Sequence, residues 1–254
     1  MKISVITAVK NCEGFIRQTV ESILSQQGNF ELEYIIMDGK STDRTLEILK
    51  EYEKDPRLTV ISKKDASPQE AINAGMARAT GDIGCWLNAD DVYEPGTLQH
   101  VVETFSRHPE LRWLYGRCRI INENGKEIRK PITLYKNILG YFYSWNMLLC
   151  ENFINQPATF WRMDLWREVR GLDTSRTAAW DYELWLKMGK SSRPLRLRNI
   201  LASFRRHLSS ISEKNFEGQF AEELEIAKSH GSIIHSFIHN INRIKIIVVY
   251  KLIS

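Results

Sequence analysis

Cysteine is scarce and scattered. The four residues Cys12, Cys85, Cys118 and Cys150 form no CxxC pair, which excludes both a zinc framework and a disulfide scaffold. Reduced cysteines suit the cytosol, and Cys85, inside an apolar run, reads as a small core residue. No stretch of about 18 uncharged apolar residues occurs, so a spanning helix is not expected. A first strand expected from residue 2 leaves no room ahead of it for a secretory leader, and the expected location is cytoplasmic. Charge of one sign is lacking as well. The 35 Lys and Arg against 31 Asp and Glu leave a net charge of +4, which gives no reason to expect nucleic acid as a partner. Two phosphate-binding loops are missing: there is no GxxxxGK[ST], and no GxGxxG after the first strand. Their absence argues against a glycine nest for phosphate and against hydride transfer with a dinucleotide.

What is present is an ordinary globular composition, 43% hydrophobic and 26% charged over 254 residues, enough to bury a sizeable core. The run "KISVITAV" (2–9) is β-branched and apolar, the mark of a strand buried on both faces. "EGFIRQTVESILSQ" (13–26) follows with helical spacing. "LEYIIMDG" (32–39) predicts a strand and "STDRTLEILKEYEKD" (41–55) a helix with Ser, Thr and Asp available as caps. "LTVIS" (58–62), "SPQEAINAGMARAT" (67–80), "DIGCWLN" (82–88) and "PGTLQHVVETFSRH" (95–108) continue the alternation. Strands alternating with helices of this length predict parallel βαβ units and a doubly wound α/β sheet. Beyond residue 110 the pattern loosens. Strands are expected within 111–121 and 196–207, a short helix over 180–189, and mainly helix over 215–251; residues 134–150 resist assignment. Without repeats or low-complexity linkers, the chain reads as one compact domain with a C-terminal extension.

Ligands of open parallel sheets bind beyond the carboxyl ends of the strands. Three strand ends here carry acids: Asp38, then Asp65, then Asn88, Asp90 and Asp91. A single acid at such a place usually caps a helix or closes a turn, as Asp43 and Asp91 are able to do. Three on one rim ask for more. Crowded carboxylates repel by roughly 4 kcal/mol per pair at 4 Å with an effective dielectric near 20. A divalent cation reverses that sign, and Mg²⁺ or Mn²⁺ takes one or two carboxylates plus substrate phosphates. The rim therefore suits a metal–diphosphate ligand.

Four blocks, "VITAVKNCEGFIRQTVESILSQ", "YIIMDGKSTDRTLEIL", "KKDASPQEAINAGMARATGDIGCWLNADD" and "AAWDYELWLKM", together resemble the family 2 glycosyltransferases, over residues 2 to about 210. The likeness is nearest to bacterial polysaccharide and lipopolysaccharide enzymes. The resemblance implies a GT-A fold: a Rossmann-like, doubly wound, mainly parallel α/β sheet. It implies a catalytic domain over 1–210, with a nucleotide-binding half to about 110 and an acceptor half over about 111–210, before a helical extension over 211–254. It also implies inverting transfer from a nucleotide-sugar donor, UDP by family habit, to a hydroxyl of a glycan or lipid-linked acceptor, with Mn²⁺ or Mg²⁺ as cofactor. By position, Thr7, Ala8 and Val9 flank the nucleobase, Asp38 holds base or ribose, and Asp65 contacts uracil. Asn73 falls among the donor-binding residues. "NAD" at Asn88, Ala89 and Asp90 stands where the family has DxD, with Asp90 on the metal; Asn88 costs one charge, which leaves Asp91 to share the task. Asp181 takes the place of the catalytic base. A helix cap is the alternative role for Asp181.

Inverting transfer needs a carboxylate to accept the proton of the attacking hydroxyl, for a typical gain of about 10²–10⁴. Asp181 suits this, and Glu183, two residues on, points elsewhere on a helix. In similar enzymes a histidine or arginine in the region of "FRRH" meets the metal or diphosphate, so the resemblance implies His207 as a metal ligand and Arg205 toward the diphosphate; a solvated face is the plain alternative for the Arg205–Arg206 pair. Gln156 is placed at the sugar pocket or in a loop held by Pro157, and Trp180 beside the base is suited to stacking on a sugar. Trp145, Trp161, Trp166 and Trp185 read as core. A competing function is a non-catalytic sugar-nucleotide or carbohydrate-binding protein that keeps the fold, with Asn88 as its main support. A sugar-phosphate nucleotidyltransferase would want a glycine-rich basic loop that "TAVKNCEG" does not supply.

After Glu225 no acidic residue remains, while Lys228, Arg243, Lys245 and Lys251 follow. Residues 232–254 place isoleucines, Phe237 and Val248 at helical spacing. The pattern admits a helix resting on an anionic bilayer surface, on the inner face of the cytoplasmic membrane, or one packed on the domain or in a dimer contact.

Overall fold

The computed structural model describes residues 1–207, 210 and 216–253. Eight strands form one mixed sheet: β1 (Lys2–Val9), β2 (Glu31–Asp38), β3 (Leu58–Ser62), β4 (Ile83–Trp86), β5 (Val92–Tyr93), β6 (Trp113–Ile121), β7 (Thr159–Arg162) and β8 (Leu195–Arg205), in the spatial order β3-β2-β1-β4-β7-β6-β8-β5. β1 pairs in parallel with both β2 and β4, and β2 with β3. β7 is antiparallel to β4 and β6, β6 runs parallel to β8, and β5 closes the far edge antiparallel to β8. The doubly wound half is thus the parallel one expected, and the second half is mixed. That short β5 joins the opposite edge makes the two halves of the chain share a single sheet.

The helices are α1 (Ile16–Leu24), α2 (Thr45–Lys50), α3 (Pro68–Met76), α4 (Thr97–Arg107), α5 (Lys130–Tyr141), α6 (Trp145–Cys150), α7 (Met163–Glu168), α8 (Trp180–Ser191), α9 (Phe216–His230) and α10 (Ile233–Ile253). Local chemistry explains several boundaries. Ser67 caps α3 by accepting the backbone N–H of Glu70, with Pro68 at the first helical position, while the Glu70 side chain accepts the N–H of Ala66, one residue ahead of the cap. α4 buries Leu98, Val101, Val102 and Phe105, one face at 3.6-residue spacing. α2 is shorter than its pattern predicts, ending at Lys50 in turns.

The unassigned stretch 134–150 holds the end of α5 and all of α6. It defied the periodicity rule because α5 leaves Leu134, Ile138 and Tyr141 exposed, so no polar face marks the outside. Beneath the site five tryptophans pack together: Trp86 stacks on Trp185 at 5.7 Å, Trp185 on Trp113 at 6.1 Å, and Trp161 on Trp166 at 5.3 Å. Trp145 is only partly buried and donates its indole N–H to the Leu186 carbonyl. Gly84 in β4 faces this cluster; a Cβ there would lie 2.5 Å from the Met163 sulfur and 2.9 Å from the Trp161 indole nitrogen. Close approach of β4 to the aromatic layer explains the glycine. The expected start of the C-terminal extension at residue 211 lies outside the described residues, as does Ser254.

Candidate active site

Parallel pairing brings the carboxyl ends of β1 to β4 to one edge, with Val9 level with Asp38 and Asp38 level with Ser62. Asp38 is fully buried there. It accepts the Ser62 hydroxyl at 2.5 Å and the Ser41 N–H at 3.2 Å, so its carboxylate organises the loop after β2. Thr7 is also fully buried: its hydroxyl donates to the Leu87 carbonyl at 2.9 Å and accepts from Tyr34. Val9 is buried, and Ala8 is half-buried. Asp43 takes up the N–H groups of Thr45 and Glu13, a turn-closing role.

Asp65 differs from these. Its Oδ1 meets Lys63 Nζ at 2.9 Å, while Oδ2 is buried with no hydrogen-bond partner. A buried acceptor left unpaired costs roughly 1–3 kcal/mol and marks a place where a ligand donor fits. The Asn73 amide is committed elsewhere: it donates to the Leu172 carbonyl at 2.9 Å and accepts the Leu172 N–H at 3.0 Å. The amide pins the turn after α7, which is not the direct donor contact expected of it.

The "NADD" motif is a bracket. Asp91 has no exposed surface; its Oδ1 accepts the Arg205 backbone N–H at 2.8 Å and its Oδ2 the Asn88 amide at 2.9 Å. Burial, then the charge of Asp90, holds the Asp91 carboxyl well above the usual carboxylate range. Asp91 therefore ties β4 to β8, and the metal role expected of it does not match its inward placement. Asn88 donates to both Asp91 and Gln156 Oε1, at 2.9 and 3.0 Å, and Gln156 donates to the Trp86 carbonyl at 2.6 Å. An aspartate at 88 would add a charge against a fully buried carboxyl and offer no donor to either partner. The departure from DxD has a local physical cause, and Gln156, buried with both amide ends used, supports Asn88 where a sugar-pocket wall was expected.

Arg205 is likewise a fastener. It is 1% exposed and donates to the carbonyls of Asp90, Asn122 and Glu123 and to Gln18 Oε1. With its guanidinium 5.1 Å over the Phe15 ring, it belongs to neither the solvated face nor the diphosphate contact expected from sequence. Its work is to hold the end of β8, and with it His207, against Asp90. His207 Nε2 lies 2.9 Å from Asp90 Oδ2, and its ring packs on Phe15 at 4.5 Å.

Among the described residues no group of three or more His, Cys, Asp or Glu side chains is gathered for a metal ion. The Asp90–His207 pair still fits one. A carboxylate and an imidazole suit Mn²⁺, and Mg²⁺ or Mn²⁺ bound with substrate takes its remaining ligands from phosphates and water.

The other side of the site is built by α8 and α9. Asp181 sits in the first turn of α8, half-buried, accepting the Tyr182 N–H at 2.7 Å. Desolvation pushes its carboxyl up to about 6, against that hydrogen bond and the charge of Lys136. The loop leading into α8, which has no side-chain cap of its own, is held from elsewhere: Glu222 of α9 accepts the N–H groups of Thr177, Ala178 and Ala179 at 2.8, 2.7 and 2.6 Å. An anionic side chain at a helix N-terminus is stabilised by the helix dipole. Next to it Glu223, 3% exposed, accepts from Asn152 and Gln219. Burial, with the Asp181 charge adding to it and Asn152 and Lys136 opposing, pushes Glu223 up to about 7. Glu183 faces away, paired with Arg176 at 2.9 Å. Trp180 is partly buried against the core beside Asp181. The segment 151–156 joins the two sides, with Gln156 bonded to Asn88 at one end and Asn152 to Glu223 at the other.

A model described as glycosyl transferase family 2 matches residues 4–169. The chain belongs to that family. Among family 2 relatives, it is 26% identical to the chondroitin synthase of Pasteurella multocida over 222 residues, covering 85% of this chain and 22% of that one. It is 28% identical to the chondroitin synthase of Escherichia coli over 198 residues, 74% of this chain and 26% of that one. The chain thus spans about a quarter of the length of these relatives. The mannosyltransferase PcManGT of Pyrobaculum calidifontis, solved with GDP-Man and Mn²⁺, superposes with a TM-score of 0.71 at 17% identity, covering 93% of this chain and 69% of that one. TarS 1–349 of S. aureus, solved with UDP-GlcNAc, gives 0.70 at 18%, covering 89% and 66%. The family 2 chain has the GT-A fold.

Sequence reasoning did not single out Glu222, Glu223, Asn152 or Gln18. All four act over long range; Glu222 lies more than 40 residues from the amides it holds. No local spacing signals such a partner.

Proposed function

We propose that this family 2 glycosyltransferase moves a sugar, of the hexosyl type, from a UDP-sugar to a hydroxyl of a glycan or lipid-linked acceptor, with inversion and with Mn²⁺ or Mg²⁺, in bacterial cell-surface polysaccharide synthesis. The single observation that carries the reading is Asp181. It is a half-buried carboxylate raised to about 6, in the first turn of a helix whose entry loop is held by Glu222. Such a group is ionised at neutral pH and basic enough to accept a proton in the transition state.

In this reading residues 1–110 bind the nucleotide. The unpaired Asp65 Oδ2 accepts the imide N–H of uracil. Asp38 and Ala8 shape the rim beside it. Asp90 and His207 hold the cation, which when bound stabilises the charge of the departing diphosphate. Residues 111–210 position the acceptor, with Trp180 at the sugar. The acceptor hydroxyl gives its proton to Asp181 as its oxygen bonds to the anomeric carbon. The bond from that carbon to the diphosphate oxygen breaks, and its electron pair leaves with the nucleoside diphosphate. The enzyme works at the cytoplasmic face, with residues 232–254 as a peripheral membrane contact. The Asn88 bracket favours an active transferase over a decayed binder, because it accounts for Asn88 without loss of the site.

Calorimetric titration of UDP-sugars with and without Mn²⁺ tests the donor half. The wild type is expected to bind in a Mn²⁺-dependent way, and Asp90→Ala to lose that dependence. Equal Mn²⁺-dependent affinity in both would remove Asp90 from the cation.

A further inference from the structure

Two helices turn their apolar sides outward. α10 docks on the protein through polar groups: His239, 2% exposed, bonds the Leu149 carbonyl at 3.0 Å, and Asn242 donates to the Cys150 carbonyl at 3.2 Å. Its other face presents Ile233 at 88% exposure and Phe237 at 67%, with Ile241, Ile244 and Val248 continuing the stripe at half exposure. A helix that only packs on a core has the reverse arrangement. α5 does the same beside it, exposing Leu134, Ile138 and Tyr141, with Phe142 just past its end at 67%. Lys245 of α10 bonds the Tyr135 hydroxyl of α5 at 2.8 Å. Between the helices runs a groove of about 480 Å³, whose apolar lining includes Leu139, Met147, Ile234 and Ile238.

The charge of these segments is one-sided. Residues 128–150 and 226–254 hold seven Lys and Arg and no Asp or Glu, which leaves −3 for the rest of a chain whose total is +4. The nearest acids lie just outside these segments: Glu151, 6% exposed in the groove, accepts from Tyr135, and Glu127 pairs with Lys130. An exposed apolar face flanked mainly by cations, with a Tyr and a Phe at its rim, has the composition of an interfacial membrane surface. No helix among the described residues is long and apolar enough to cross a membrane.

We propose that α5 and α10 together form the face by which this protein lies on an anionic lipid bilayer. α5 is as much a part of that face as the C-terminal helix. The orientation this sets is specific. Tyr182, next in sequence to Asp181, packs its ring on His239 of α10 at 5.7 Å, so the bilayer lies close to the catalytic helix. The contact stands whatever is transferred; only its use, presenting a lipid-linked acceptor to Asp181, rests on the proposed function.

Co-sedimentation of the full chain with vesicles tests this without donor or acceptor. Binding is expected to phosphatidylcholine–phosphatidylglycerol vesicles, weak binding to phosphatidylcholine alone, and release as salt rises. Ile138→Glu in α5 and Phe237→Glu in α10 are each expected to weaken partitioning about tenfold or more, with circular dichroism and melting unchanged. Ile138→Ala and Phe237→Ala, which keep the helices neutral, are expected to act in the same direction with smaller effect. No binding to the anionic vesicles would overturn the proposal. Loss only in the α10 variants would overturn the shared face. A dimer that dissociates in the same variants, without vesicle binding, would assign the face to a second copy of the chain.

Discussion

The rim of the parallel strands and the α8–α9 side use carboxylates in opposite ways. On the rim, Asp38 and Asp91 are fully buried yet well supplied with donors, from Ser62, Ser41, Asn88 and the Arg205 backbone. They fasten loops, and leave Asp90 and one oxygen of Asp65 for a ligand. On the α8–α9 side the donors are too few for the burial. Asp181 and Glu223 are pushed up to about 6 and about 7, whereas Glu222, with three backbone N–H groups, and Glu183, paired with Arg176, are held below the ordinary range against their own desolvation. Asp91 is itself raised by burial and the charge of Asp90, so the difference lies in its oxygens, which are committed inward to Arg205 and Asn88, while Asp181 has only the Tyr182 N–H against its burial.

The sharpest way to break this contrast is to disturb the Glu222 contacts. Glu222→Gln removes the charge and one acceptor from the amides that precede Asp181. Hydrogen bonds to charged groups contribute about 1.5–3 kcal/mol each, so a lower melting temperature and a kcat reduced about tenfold are expected, with donor affinity unchanged. A loss confined to donor affinity would place Glu222 on the wrong side of the comparison.

Glu223→Gln should have a smaller effect on rate and a distinct one on stability. The ordinary carboxyl values are 4.5 for Glu223 and 3.8 for Asp181, and both are raised in the folded chain. The folded state therefore keeps protons that the unfolded state releases, and stability falls as pH rises from about 4 through about 7. Removing Glu223 takes away one such group, worth on the order of 3 kcal/mol if the whole shift is expressed. The variant is expected to melt higher than wild type at pH 8 and equally at pH 4. The acid limb of its kcat/KM should stay where the wild type has it, because Glu223 at about 7 is still protonated when Asp181 titrates near 6. Parallel melting curves at both pH values would contradict the burial argument.

Much of the rim was legible in the sequence because it is local. An apolar β-branched strand followed by a polar turn shows its own end, and Asp38, Asp65 and Asp90 could be placed at one edge from the alternation alone. The meaning of Asn88, Arg205 and Gln156 was not legible. Each of their decisive contacts joins segments about 70 or more residues apart, and Arg205 in particular looked like half of a surface pair until β8 was seen to end against Asp91. Of the α5–α10 face, the α10 stripe was legible at helical spacing, and only the α5 half escaped. Periodicity finds the buried side of a helix by assuming the other side is polar, and α5 inverts that assumption.

The central claim is that Asp181 takes the acceptor proton while the rim holds the donor. The most direct measurement is kcat and donor affinity in Asp181→Asn, with the pH dependence of kcat/KM beside the wild type. The expected result is a kcat lower by at least about 10², an unchanged Mn²⁺-dependent donor affinity, and loss of the acid limb near pH 6 that the wild type shows. Turnover within about threefold of wild type with the same acid limb would contradict it, since by the same principle an enzyme deprived of its base cannot keep both.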